Sequence, residues 1–315
     1  MYSDISKGAI FLYHIIVNPV AGKGRTIDYL PQLIEEFDKR NMPCTAHVTT
    51  KIRDAYDFAR EICTKTPEDT PQGIIGVGGD GTIQEIVAGM VDAFPHGQHI
   101  PTPLAICPVG SGNDFVTSLK GKKTKKTPSA TDFIGNICKR NLRTVDVITA
   151  NGEAFLNIAN IGVDARIVQN AAGLKQTHGG RAYLAAVYKS IMKHENTTMT
   201  LAVNGREDAK PFTLIAICNG QFYGGGLRIA PSAKFDDGKI TLCVIEGVSR
   251  AKLGILFPSL LIEKHTALKI VQLEECTELT ITLKNTETLC LDGNLFPQSG
   301  EIYFKILPKV LDVFM

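Results

Sequence analysis

Apolar residues near the N-terminus gather in short runs, and between those runs they recur every three or four positions. Tyr13-His14-Ile15-Ile16-Val17 predicts a buried strand, and Leu30, Leu33, Ile34 and Phe37 predict an amphipathic helix after it. The order then repeats. Ile74, Ile75 and Val77 predict a second buried strand, followed by Ile83, Ile86, Val87, Met90 and Val91 at helical spacing. Leu104-Ala105-Ile106-Cys107 predicts a third, closed by Pro108 because proline lacks a ladder donor. Alternating strand and helix patterns over residues 1 to about 140 predict a layered α/β sheet.

From Arg143 the texture changes. Short β-branched or alternating runs over 144–149, 154–161, 198–203, 212–218, 240–245, 268–273, 279–283 and 288–291 lie between turn residues, which predicts a β-sandwich with few helices. Helical interruptions are expected over 182–193 and 252–262, the second broken at Pro258, and a last strand within 302–315. A chain of 315 residues suits two domains better than one core. The expected fold is thus α/β plus all-β, with a three-layer domain over 1–142 and a sandwich over 143–302.

The candidate chemistry sits where the predicted strands end. Gly78-Gly79-Asp80-Gly81-Thr82 joins a strand to a helix, an arrangement that aims backbone N–H groups and a positive dipole end at a phosphate. A carboxylate in such a cradle repels its ligand unless a divalent cation intervenes, so Asp80 implies a nucleotide with Mg²⁺. Gly76, Gly78 and Gly81 also spell the dinucleotide fingerprint, but the acidic residue expected about 20 positions on is missing from 100–104. Asn18-Pro19-Val20-Ala21-Gly22-Lys23-Gly24-Arg25 is a second glycine-bearing loop after a strand, and no Walker signature occurs anywhere. Pro108-Val109-Gly110-Ser111-Gly112-Asn113-Asp114-Phe115 is the third. Alone it is a polar turn with an Asn or Asp helix cap. In open parallel sheets the strand C-termini share one edge, where ligands bind, so three such loops favour a nucleotide site.

These loops resemble the signature loops of diacylglycerol-kinase-like lipid kinases, the bacterial branch that includes sphingosine-kinase-like relatives. Later segments resemble the same family: Asn157 to Ala165, Gly179 to Tyr183, Asn219 to Gly226, Ala230-Pro231 and Asp237-Gly238. The resemblance implies ATP and Mg²⁺ as cofactors, with Asn18, Gly22, Lys23, Gly24, Arg25, Thr50, Gly79, Thr82, Glu85, Gly110, Ser111 and Asn113 around the nucleotide. It implies Asp80 and Asp114 as organisers of the Mg²⁺, Asp54 in the same carboxylate network, and Asp237 as ligand of a structural metal. Asp292 would accept the proton of the lipid hydroxyl, and 303–315 would return to the first domain. The family has D-G-E where this chain has Asp292-Gly293-Asn294, and Asn294 can neither carry charge nor take a proton. On spacing alone, Asp292-Gly293 is a hairpin turn.

The expected reaction is transfer of the γ-phosphoryl of ATP to diacylglycerol or a similar membrane lipid. Two rival readings are a kinase acting on NAD, whose family also carries G-G-D-G-T, and a regulator that binds nucleotide with weak or no catalysis. Formal net charge is +2, so nothing global demands nucleic acid. The run Lys120 to Lys126 reads as a solvated loop with a weak attraction to an anionic membrane. Eight cysteines without a C-x-x-C pair read as small buried hydrophobes of a reducing compartment, and seven histidines show no ligand spacing. No signal peptide heads the chain and no stretch approaches the ~20 apolar residues of a membrane span. The expectation is a cytoplasmic protein, peripheral at the membrane; the sequence leaves the oligomeric state open, although members of the family it resembles are often homodimers.

Overall fold

Every residue of strand β1 (Tyr13–Val17) is buried, which a short apolar run achieves in a sheet covered on both faces. It pairs in parallel with β2 (Cys44–Val48) and with β3 (Gly73–Gly78), and β3 pairs in parallel with β4 (Ile100–Pro108). Parallel neighbours need crossovers, and α1 (Arg25–Lys39), α2 (Asp54–Cys63) and α3 (Asp80–Ala93) supply them. Tyr13, Ile15 and Val17 face α1 and α5 (Ala130–Cys138), where Leu33, Phe37, Phe133 and Ile134 complete a core. The opposite face carries α2 and α3, packed on each other and on β1 and β3. Gly89 permits that packing, since a Cβ there would meet the Tyr56 carbonyl oxygen at 2.2 Å. The result is the expected three-layer α/β domain. The computed structural model describes residues 12–64, 72–94, 97–110, 112–121, 127–163, 165 and 195–315. The expected helix over 182–193, Asp164, the 179–183 segment, His178, Ser111 and most of the lysine run lie outside the described residues.

Residues 127–145 and 310–315 also belong to this first unit. Leu311 and Val313, near the end of β15 (Asn294–Phe314), pair in parallel with β4. The returning segment is therefore the last six residues, where the sequence suggested thirteen.

The second unit takes 112–121 and 146–309 among the described residues. Its sheet runs β13 (Val271–Cys276), β12 (Ile240–Glu246), β9 (Arg206–Cys218), β7 (Ile158–Gly162), β14 (Glu278–Leu291), β15, and β8 (Thr197–Val203) pairs with β9 and β14. β5 (Leu142–Ala150) pairs with β15 and with β6 (Glu153–Phe155). Alternation along β9 and β12 separates two cores. Ile215, Ile217, Leu242 and Val244 join Phe155, Phe212, Ile281 and Phe304 on one face. Leu214, Ala216, Cys243 and Ile245 turn to the other, onto Leu253, Leu256 and Leu260 of α6 (Arg250–Leu261).

Several local expectations shift. The run 154–161 divides into β6 and β7, and the runs 279–283 and 288–291 are one strand with a register break between Leu283 and Glu287. The strand expected over 268–273 forms at Val271–Cys276, after a 3-10 turn at His265–Ala267. Helix α6 passes through Pro258, which is exposed. Helix α4 (Asp114–Lys120) clusters with the second unit, where its Phe115 ring packs edge-on to Phe235 at 4.9 Å. All eight cysteines are free thiols, and six of them are buried.

Candidate active site

Because β1, β3 and β4 are parallel, the loops after Val17, Gly78 and Pro108 share one edge of the first unit's sheet, and they touch one another. Asn18 Nδ2 donates to Thr82 Oγ1 at 3.0 Å, so the first loop is tied to the start of α3. Gly110 N donates to Gly78 O at 3.1 Å, tying the third loop to the second. Gly22 has φ +58°, and a Cβ on it would lie 2.2 Å from Val109 O, so only glycine fits where first and third loops meet. Arg25 locks that junction, donating from Nε to Gly22 O at 2.8 Å and from Nη2 to Val109 O at 3.3 Å. Lys23, between two glycines at φ +58° and +84°, is exposed.

Asp80 is the first residue of α3, at the positive end of the helix dipole, with Gly79 as its extended N-cap. Thr50, Asp54 and Glu85 form a separate group at the start of α2. Asp54 Oδ2 accepts from Thr50 N at 2.7 Å, Thr50 Oγ1 at 2.8 Å and Lys51 N at 3.0 Å. The Thr50 backbone amide and then its hydroxyl are the main forces holding this carboxyl below its ordinary range. Burial pushes Glu85 up, against the backbone amides of Arg53 and Ala55. No cluster of three or more His, Cys, Asp or Glu able to hold a metal occurs among the described residues. A Mg²⁺ ion commonly binds one or two carboxylates plus substrate phosphates, so Asp80 with a nucleotide is a sufficient donor set.

The second unit gathers other residues of the expected set. Asp292 and Gly293 are the two-residue turn of the β14–β15 hairpin, at φ +47° and +97°, with Leu291 paired to Asn294. The hairpin explains the Asp-Gly pair, but not the side chain. The buried carboxylate accepts from Leu156 N at 2.8 Å, Asn157 N at 3.1 Å and Ile158 N at 2.8 Å. Burial pushes Asp292 up to about 6, the three amides pull it down, and Asp114 adds a further upward push. Both of its oxygens are engaged. Asp114, the first residue of α4, accepts Gly225 N with both oxygens, at 3.1 and 2.9 Å. Asn113, expected around the nucleotide, is the left-handed cap of α4.

Asn157, the first residue of one family-like segment, and Ser118, which the sequence did not single out, knit this group together. Asn157 Oδ1 accepts from Ser118 Oγ at 3.1 Å, and Asn157 Nδ2 donates to Phe222 O at 2.8 Å. Ser118 Oγ also accepts from Phe222 N at 3.0 Å. Gly220 lies against both, since a Cβ there would meet Asn157 Oδ1 at 2.0 Å. One helical turn of α4 therefore grips the 219–226 loop twice, through Asp114 and through Ser118. The available signal was the i, i+4 spacing of those two residues. Asp237 accepts Lys239 N at 3.1 Å within its own turn. The buried carboxylate beside that turn is Asp146, which the sequence reading missed, and it takes Gly238 N at 2.7 Å and Lys309 N at 2.8 Å.

Residues 13–150 match the family described as the diacylglycerol kinase catalytic domain. Residues 157–315 match the YegS C-terminal NAD kinase beta sandwich-like domain. The chain is 25% identical over 280 residues to a diacylglycerol kinase of Bacillus subtilis, covering 89% of this chain and 88% of that protein. It is 26% identical over 287 residues to a diacylglycerol kinase of Mycobacterium tuberculosis, covering 89% and 86%. A crystal structure of a diacylglycerol kinase from Bacillus anthracis superposes with a TM-score of 0.73 at 22% identity, over 97% of this chain and 96% of that one. That likeness concerns the fold.

Proposed function

The chain belongs to the diacylglycerol kinase family, with a C-terminal domain of the YegS type, and we propose that it transfers the γ-phosphoryl group of ATP to the hydroxyl of diacylglycerol, giving phosphatidic acid. It is an ATP-dependent lipid kinase by that membership. The observation that carries the finer reading is the convergence of three glycine loops around the N-terminus of α3, with Asp80 at its first position. The helix start and the loop amides hold phosphate oxygens, and Lys23 supplies a mobile cation beside them. A Mg²⁺ ion held by Asp80 and the phosphates would neutralise charge developing on the transferred group.

Asp292 acts in this reading as a positioning residue. Its oxygens are committed to three backbone amides, so it fixes residues 156–158 instead of receiving the substrate's proton. Phosphoryl transfer through a loose transition state depends on positioning and charge neutralisation more than on a strong base. Asn294 in place of the family glutamate fits a site that relies on positioning. We place the reaction on the cytoplasmic side of a membrane, where the lipid resides. No helix among the described residues is long and apolar enough to cross one.

The test is transfer of labelled γ-phosphate into diacylglycerol, other hydroxyl lipids and NAD, in mixed micelles with Mg²⁺. Labelled phosphatidic acid from the wild type, absent with Asp80→Ala, is the expected result. Label in another lipid alone would move the substrate, and label in NAD alone would overturn the lipid assignment.

A further inference from the structure

Helix α6 carries apolar residues on both its buried and its exposed faces, with Arg250, Lys252 and Ser259 its polar positions, which in a water-facing helix is unusual. Leu253, Leu256 and Leu260 fill the second unit's outer core. The opposite stripe, Ala251, Ile255, Pro258 and Ile262, recurs at i, i+4, i+7 and i+11 and is exposed. Ile255 and Ile262 are each 64% exposed, and Leu261 beside them is 50% exposed. Three large aliphatic side chains within about two turns of helix are more than scattered surface residues. The flanks are basic. Residues 250–270 hold Arg250, Lys252, Lys264 and Lys269, all exposed, against one acid, Glu263, which is 3.4 Å from Arg228.

We infer that this face of α6 docks on an anionic lipid bilayer, with Ile255, Pro258, Leu261 and Ile262 entering the interface and the flanking cations on the headgroups. Helices that lie in a membrane surface combine those two features. The charge argues against a second copy of the chain as the occupant. A two-fold contact sets the same patch against itself, and would bring these cations onto their own kind. The inference rests on the lipid-kinase reading only in choosing a bilayer as the surface a substrate would come from. It names a different element from the lysine run that the sequence suggested.

The experiment is co-sedimentation of the full chain with phosphatidylcholine vesicles, with and without phosphatidylglycerol, beside solution mass. Ile255→Ser/Ile262→Ser removes apolar surface at exposed positions, and Lys252→Glu/Lys264→Glu reverses the flanking charge. The expected result is binding only with phosphatidylglycerol, reduced about tenfold or more by either pair of substitutions, with melting temperatures unchanged. Equal binding by wild type and both variants would overturn the inference. So would absence of vesicle binding, or a dimer that Ile255→Ser/Ile262→Ser converts to monomer without affecting the vesicles. Binding through α6 without phosphorylation of any diacylglycerol would sink the proposed reaction and leave the docking face standing.

Discussion

Asp80 of the first unit and Asp292 of the second are carboxylates held in opposite ways. In the first, Asp80 stands at a helix start where three glycine loops meet. In the second, the buried Asp292 accepts from three backbone amides of a distant segment, and Asp114 accepts from one. An acid at a helix N-terminus is cheap to keep ionised and can face a ligand. A buried acid is retained only when its hydrogen bonds are satisfied, which commits it to structure. A carboxylate in a family motif is therefore not by itself evidence of direct chemistry.

The largest effect separates the units outright. Asp80→Ala should lower phosphoryl transfer by about a thousandfold, while the melting temperature moves little, as read by initial rates and calorimetry on the same sample. Asp292→Asn should do the reverse, removing about 3 kcal/mol of stability because an amide NH₂ would face backbone N–H donors. Denaturant titration measures that loss. An unchanged midpoint with a collapsed kcat would restore Asp292 as the proton acceptor and dissolve the contrast drawn above.

A pH series sharpens the same point. Asp292 titrates near 6 in the folded chain, against about 3.9 when unfolded. The folded state holds the proton more tightly, so this group's contribution is full below about pH 4 and is lost as pH rises through 6, about 3 kcal/mol. The stability advantage of wild type over Asp292→Asn should shrink across that window, because the variant has nothing there to titrate. Parallel curves would show that the three amides hold the carboxyl near its ordinary value.

The smallest effect tests the link between α4 and the 219–226 loop. Ser118→Ala leaves Phe222 N and Asn157 Oδ1 without their shared hydroxyl and should cost about 1 kcal/mol. As a positioning residue it should raise the KM for lipid while the KM for ATP stays put, and Ser118→Thr should recover part of the loss. Equal changes in both constants would reduce Ser118 to a packing residue.

Much of the first unit was legible because its signals are local. The apolar runs of β1 and β3, the helical spacing behind them and the glycine loops where they end all lie within windows of about thirty residues, and parallel pairing then puts those loops on one edge. The second unit gave its strands but not their joins. Nothing local says that 279–283 and 288–291 are one strand, or that Pro258, exposed on α6, is tolerated inside a helix whose other face is held by Leu253, Leu256 and Leu260.

What the sequence determined by itself was the alternation of elements, the change of texture near Arg143, and the placing of Asp80 at a strand-to-helix turn. Period and turn chemistry are properties of neighbours along the chain. The tertiary structure alone decided what Asp292 does, since its donor Leu156 lies 136 positions away. It alone joined α4 to the second unit through Ser118, Asn157 and Phe222. Hydrogen-bond satisfaction of a buried group is settled by whatever folding brings beside it, and residue spacing along one strand or helix carries no record of that partner.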